Sequence, residues 1–343
     1  MALSSPHLKD FSIEELFEIS LESEHAYDLV KDTLLSNPRD MYHFEVSLLS
    51  SPSVRAVKTP NFHIRVGDDI EVEWHFHYKR DSKRLELEDV KETRTVRVSS
   101  GNPLVFAKPA RNRYALNCDS IQDVFQFVQY LCSLFNENVS NLTVGRIQIQ
   151  HLEAIQSIEP LRKSRQIHIK KMTVSHEEMI RILEGFVVAQ KMKISCDPGS
   201  NFIYDKPICI TDFENFTASW VRGPMLLNLR VAHLTVYNPH LTEEDVIEFL
   251  KRELTNCIFC GKIRTAEFFK KTSSSLGPVY DNRNPGSWDL EKIINALSSY
   301  EQEDLPYKKR VWTRNRKNFI DIVTCSEVPS YLALAKNGSI IRP

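Results

Sequence analysis

A short β-branched strand, a Ser or Thr cap and an amphipathic helix follow one another repeatedly through the second half of this 343-residue chain. Arg165 to Val174 reads as a strand and leads into Ser175 and a helical pattern through Leu183. Val231 to Tyr237 repeats the strand, and Leu241 to Lys251 repeats the helix. Each cap has an acid three residues later, Glu178 after Ser175 and Asp245 after Thr242. Ser175 with Glu178 makes a full capping box and Thr242 with Asp245 a weaker relative, so orphan amides of the first turn are satisfied. Such a unit cannot bury its apolar face alone, and stacked copies share one core, as in a leucine-rich-repeat-like array. The competing reading is a plain α/β sheet with two similar helices. Arrays of the first kind bind partners along a surface more often than they catalyse.

The length suits two domains or one elongated one. Lys plus Arg number 44 against 45 Asp plus Glu, a net charge of -1, so no global charge argues for nucleic acid or a membrane surface. Hydrophobic residues at 42% suffice for a folded core, yet no apolar run approaches a membrane span. The first ten residues carry neither the basic flank nor the apolar core of a secretory signal. With seven scattered cysteines, an odd number, the expectation is reduced thiols in the cytoplasm or nucleus.

Three regions follow from the pattern. Residues 12–34 read as helical, with Ser12 and Glu15 as a start signal and Leu16, Ile19, Ala26, Tyr27, Val30 and Leu34 along one apolar face. Ser20 and Ser23 divide this stretch, and Asn37-Pro38 ends it. Residues 42–106 alternate in period two, at 42–48, 62–66, 70–78 and 93–98, which predicts an antiparallel sheet with one wet face. The charged run 79–92 reads as a hairpin loop between two of these strands. Ser120 opens a buried helix through Phe135, and strand–helix units follow from Leu142. The predicted domains are therefore a helical segment over 1–38, an antiparallel β region over 39–118 and a repeat-like α/β domain over 119–343. The fold class is α+β.

Candidate chemistry is sparse. Cys257 and Cys260 form one CxxC, but a structural zinc site needs four ligands, and a redox pair normally opens a helix. His75 and His77 share a strand face, with His63 or His43 as conceivable co-ligands, but Trp74 and Phe76 claim the opposite face as core. No phosphate loop, dinucleotide fingerprint, nucleophile elbow or zincin motif occurs, and only 10 glycines are present. The expectation is no catalytic residue, no metal and no cofactor. The stretch 308–317 carries six basic residues with Trp312 among them, a pattern that suits a phosphate backbone and a stacked base.

Trp220-Val221-Arg222-Gly223-Pro224, then His233 to Val236, then Leu241-Thr242 with Asp245, Phe249, Leu250 and Lys251, resemble the central signature of the F-box associated domain type 2 family, expanded in nematodes. Val128 to Phe135 resembles the buried helix before that domain's first repeat strand. Ile320 to Ile322 with Asn337-Gly338 resembles its closing strands. The likeness runs from about residue 120 to the end. Members usually begin with an F-box, a helical hook for the Skp adaptor of a cullin ubiquitin ligase. Ser12 to Ser23 and Tyr27 to Lys31 resemble the second half of that hook, while only Leu3, Pro6 and Leu8 stand ahead of Phe11.

The resemblance implies a non-enzymatic protein-interaction module, the substrate-recognition part of a Skp–cullin–F-box ligase. Its protein target is unnamed by the sequence, and the Skp adaptor is a candidate partner. The candidate partner-binding residues are Leu16, Ile19, Tyr27 and Val30, because an apolar helix face has no use in water. The alternative is a nucleic-acid-binding module using 308–317.

Overall fold

A computed structural model describes residues 8, 10–36, 44–50, 60–66, 72–78, 93–96, 104–110, 113–118, 120–145, 149–187, 190–199, 201–215, 218–237, 239–255, 264–269, 288–305, 308–312, 319–325 and 328–336. Helices and a large amount of mixed sheet are both present, so the class is α+β. The chain divides into two compact units, residues 1–170 with 185–188, and residues 171–184 with 189–343. Both predicted boundaries, after 38 and after 118, fall inside the first unit.

In the first unit the N-terminal stretch forms α1 (Ile13–Ser20) and α2 (Glu24–Ser36), interrupted where Ser20 and Ser23 suggest. Ser12 and Glu15 cap α1 reciprocally, with Ser12 N donating to Glu15 Oε2 at 2.7 Å and Glu15 N to Ser12 Oγ at 3.2 Å. Ile13, Leu16, Phe17 and Ser20 recur at helical spacing and are buried. The strands are β1 (Phe44–Ser50), β2 (Pro60–Val66), β3 (Val72–Tyr78), β4 (Thr93–Val96), β5 (Leu104–Ala110), β6 (Arg113–Cys118), β7 (Asn141–Gly145) and β8 (Gln166–Thr173), whose residues 171–173 belong to the second unit. Between β6 and β7 lies α3 (Ile121–Phe135), and α4 (Ile149–Ser157) and α5 (Glu159–Arg162) lie between β7 and β8.

The expected antiparallel pairing holds for β1, β2 and β3 and again for β4, β5 and β6, but the two sets are not joined as one antiparallel run. Next to β3 lies β6, parallel to it, and β4 pairs with β5 instead. The charged run 79–92, expected as a hairpin loop, lies outside the described residues. On its other side β1 pairs parallel with β7, and β7 parallel with β8. Parallel neighbours need a crossover, and α4 with α5 supplies it between β7 and β8.

One aromatic cluster shows where the first core sits. Phe17 of α1 meets Trp74 of β3 edge-on at 5.1 Å, Tyr114 of β6 at 5.2 Å and Phe127 of α3 at 6.0 Å. All four are at most 4% exposed, so the N-terminal helix is core rather than appendage. Polar ties hold it as well. Tyr114 OH donates to Glu18 Oε1 at 2.8 Å, and Ser20 Oγ lies 2.6 Å from Tyr130 OH. Burial and then the Glu18 carboxylate push the Tyr114 phenol far above its ordinary pKa.

The second unit contains α6 (His176–Gly185), whose last residue belongs to the first, then β9 (Lys191–Asp197), β10 (Ile208–Asn215), α7 (Gly223–Asn228), β11 (Leu229–Tyr237), α8 (Glu243–Thr255) and β12 (Thr265–Phe269). After α9 (Leu290–Asn295) come β13 (Gln302–Leu305), β14 (Lys308–Trp312), β15 (Phe319–Cys325) and β16 (Val328–Lys336). Strands β9 to β12 are parallel, each beside its predecessor. The last four add an antiparallel block in the order β12, β16, β15, β14, β13. Both predicted caps are present, with Ser175 N donating to Glu178 Oε2 at 2.5 Å and Thr242 N to Asp245 Oδ2 at 2.8 Å. Leu234, Val236, Ala266 and Phe268 are buried on the face that meets α8, where Phe249 lies edge-on to Phe268 at 6.3 Å.

Candidate functional site

The four N-terminal candidates separate into two pairs. Leu16 and Val30 are 0% exposed, and no partner reaches them while the unit is folded. Ile19 and Tyr27 are half-buried. Tyr27 packs 5.1 Å from Tyr130 of α3 and lies under the Lys31 ammonium. The exposed apolar residue of this region is Leu35, at 46%. Phe17, at the centre of the cluster, lies beside rather than on the Leu16–Ile19 face that helical spacing picks out.

Cys257 and Cys260 lie outside the described residues. Among the described residues no group of three or more His, Cys, Asp and Glu could hold a metal, and no helix is long and apolar enough to cross a membrane. His75 Nε2 sits 3.0 Å from Glu73 Oε2, two positions along β3 on the same strand face. His63 and His77 side chains and residue 43 are outside what is described.

The basic stretch is described as far as Trp312, and its first three cations already have acids. Lys308 Nζ is 2.6 Å from Asp321 Oδ2, and Arg310 Nε donates to Asp321 Oδ1 at 2.8 Å. Lys309, on the other strand face, reaches Asp304 Oδ1 at 2.7 Å. Arg310 also lies over the Phe319 ring, 3.9 Å from its centroid. Burial of Asp321 raises its pKa, but the bonds from Arg310 and Lys308 outweigh that and hold the carboxyl below its ordinary value. Residues 313–317 lie outside the described set.

The most organised surface was not singled out by sequence. It is the face of the second unit's strands opposite α8. The register aligns Glu214 with Lys193 and Thr235, then Thr235 with Glu267, and Glu267 with Ala333. A neighbouring row aligns Lys191, Asp212, His233 and Thr265. Ion pairs and hydrogen bonds run along these rows. Lys191 and Lys193 both stand 3.1 Å from Glu214 Oε2. His233 Nδ1 is 2.8 Å from Thr265 Oγ1. Glu267 accepts from Thr235 Oγ1 at 3.3 Å and from Tyr331 OH at 3.0 Å. Beside it, Tyr237 stacks on Phe269 at 4.5 Å and 11°, and Phe269 meets Tyr331 at 5.0 Å. Among the described residues none hydrogen-bonds to the buried Asp212 Oδ1.

These side chains are half-buried, apart from Tyr331 at 8% exposure, and they are spread along rows rather than converged on one reacting position. His233 faces a threonine hydroxyl, and Glu267 is held as an acceptor. The arrangement suits recognition of a partner's polar groups by a preordered surface. Alternation in Thr265, Glu267 and Phe269 signals an outward face, but its companions come from strands about 30 and 60 residues away in sequence. No protein-family model, no curated protein and no solved structure matches the chain.

Proposed function

We propose that this chain is a non-enzymatic protein-interaction module, resembling the substrate-recognition part of a Skp–cullin–F-box ligase, and that its second unit contacts the target. The observation that carries this reading is the half-exposed sheet face, on which Glu214, Glu267 and the Tyr237–Phe269–Tyr331 ladder are ordered by bonds within the protein. A preordered polar and aromatic surface loses little freedom on binding. The motifs that carry the family resemblance lie at its supporting elements, α7, β11 and α8.

Attachment to the Skp adaptor is the less supported half of the proposal. Leu16 and Val30 serve the protein's own core, which leaves Ile19, Tyr27, Leu29 and Leu35 as the apolar side chains of α1 and α2 that an adaptor can touch. The nucleic-acid alternative is disfavoured by Asp321 and Asp304, which pair with the three described cations of the basic stretch.

Affinity purification of the tagged full chain tests both halves. Recovery of the Skp adaptor and a cullin supports the ligase subunit. Specific recovery of another protein without them supports a module outside a ligase. Nuclease-sensitive recovery of nucleic acid with neither overturns the proposal.

A further inference from the structure

The two ends of the half-exposed sheet face treat an aromatic ring and a carboxylate differently. At β14 and β15, Phe319 and Asp321 share a guanidinium: Arg310 lies 3.9 Å over the ring and donates to both carboxylate oxygens, at 2.8 and 3.2 Å. At β12 the same two groups recur as Phe269 and Glu267, two positions apart on one strand face. Here the ring belongs to a three-strand ladder, Tyr237, Phe269 and Tyr331. Glu267 takes neutral donors from Thr235 and Tyr331, and among the described residues no Lys or Arg bonds to it. Two neutral hydrogen bonds orient a carboxylate without cancelling its charge. The site is therefore an aromatic platform beside a fixed, uncompensated anion, and its chemical complement is a planar cation.

We propose that Glu267 with the Tyr237–Phe269–Tyr331 ladder is a docking point for an arginine side chain of a protein partner. The guanidinium packs on the ladder, whose central ring is Phe269, and donates to Glu267, a partner's version of what Arg310 does within the chain. Arginine suits this better than lysine, because its planar fork stacks and hydrogen-bonds at once, whereas an ammonium is a strongly hydrated point charge. The inference rests on reading the chain as an interaction module and adds the chemistry its target must present.

The test uses the full chain and saturation-transfer NMR on two glycine–serine heptapeptides, one with a central arginine and one with a central citrulline. Citrulline keeps the shape and removes the charge. Saturation should reach the arginine peptide and not its twin. Glu267→Gln keeps one acceptor oxygen and replaces the other with an amide donor, to which the Thr235 or Tyr331 hydroxyl can turn as acceptor, and it should weaken the arginine peptide by about tenfold, the scale of losing a charge-assisted hydrogen bond. Phe269→Leu keeps the apolar bulk and should weaken it by about threefold or more, as expected for losing a cation–π contact. Equal saturation of both peptides, none for either at millimolar concentration, or undiminished binding by Glu267→Gln overturns the proposal. The broader reading is tested separately: a target recovered equally by the wild type and Glu267→Gln overturns the arginine contact, places the interface elsewhere and leaves the module intact.

Discussion

Gly223 lies against Asp245 so closely that a Cβ at Gly223 would stand 1.9 Å from the Asp245 Oδ1 and 2.7 Å from its Cγ. Asp245 is the acid that closes the cap of α8, accepting from Thr242 N at 2.8 Å and Thr242 Oγ1 at 3.0 Å. His240 N donates to Val221 O at 3.1 Å and ties the same two segments through backbone. The missing side chain at 223 and the capping acid at 245 are thus one device, formed by two motifs that look independent in sequence. Gly223→Ala should lose the cap and strain the packing at a cost of about 2 kcal/mol. The melting temperature should fall by roughly 4–8 °C. Adding Asp245→Ala removes the obstructing carboxylate, so the double variant should lose clearly less than the sum of the singles.

Phe17→Ala should be among the most damaging substitutions in the first unit, because the ring touches Trp74, Tyr114 and Phe127 and is 0% exposed. Deleting a buried phenylalanine costs about 3–5 kcal/mol. Denaturant unfolding followed by tryptophan fluorescence checks it, with Trp74 as a local reporter. Leu35→Asp, on the exposed side of α2, should leave that curve unchanged within about 0.5 kcal/mol. It is the variant with which to probe adaptor binding, since a loss there cannot be ascribed to unfolding. Equal stability of Phe17→Ala and the wild type would remove the N-terminal helices from the core.

What could be read from sequence was local. Reciprocal caps at Ser12, Ser175 and Thr242, the break between Ser20 and Ser23, and the inward Trp74 and Phe76 each depend on spacing within a few residues. Strand order did not follow from such spacing. The alternation of 93–98 is visible, but nothing in it says that β6 rather than β4 lies beside β3. The inward face of α1 is ambiguous in sequence for a related reason. Leu16 and Ile19 satisfy helical spacing, yet so do Ile13, Leu16, Phe17 and Ser20, and the sheet beneath decides which set faces inward. The Glu267 surface was hidden because its three aromatic members come from β11, β12 and β16.

Asp321 should give the second unit a defined acid sensitivity. Its side chain is 3% exposed, and the bonds from Arg310 and Lys308 overcome the effect of burial to hold its pKa below the ordinary carboxylate value. A carboxyl depressed on folding adds stability above its unfolded pKa of about 3.9, and that stability is lost as pH falls through the lower folded value. Asp321→Asn should therefore cost roughly 2–3 kcal/mol at neutral pH, somewhat under the loss for a fully buried pair because Lys308 and Arg310 keep some solvent. The gap between variant and wild type should begin to narrow below the ordinary carboxylate pKa and close as pH falls through the lower folded value. Urea unfolding at pH 7 and pH 3 measures the full gap and its narrowing. A gap that is constant with pH would show that the asparagine harms packing rather than charge.

Cys132 and Cys209 should differ sharply toward alkylating agents. Cys132 lies on the inner face of α3, 7% exposed, and burial, with a smaller push from the Glu137 charge, raises its thiol to about 12. The thiolate is the reactive form, so at pH 8 almost none is present, and access is blocked as well. Cys209 is exposed on β10. Iodoacetamide pulse labelling of the native chain, read by peptide mass spectrometry, should modify Cys209 within minutes and leave Cys132 untouched. Labelling of Cys132 should rise only with unfolding of the first unit, following the same denaturant midpoint as Trp74 fluorescence. If Phe17→Ala exposes that unit as argued, Cys132 should become labelled in the variant at denaturant concentrations that protect it in the wild type. Rapid modification of Cys132 in the native wild-type chain would contradict the packing of α3 against β3 and β6.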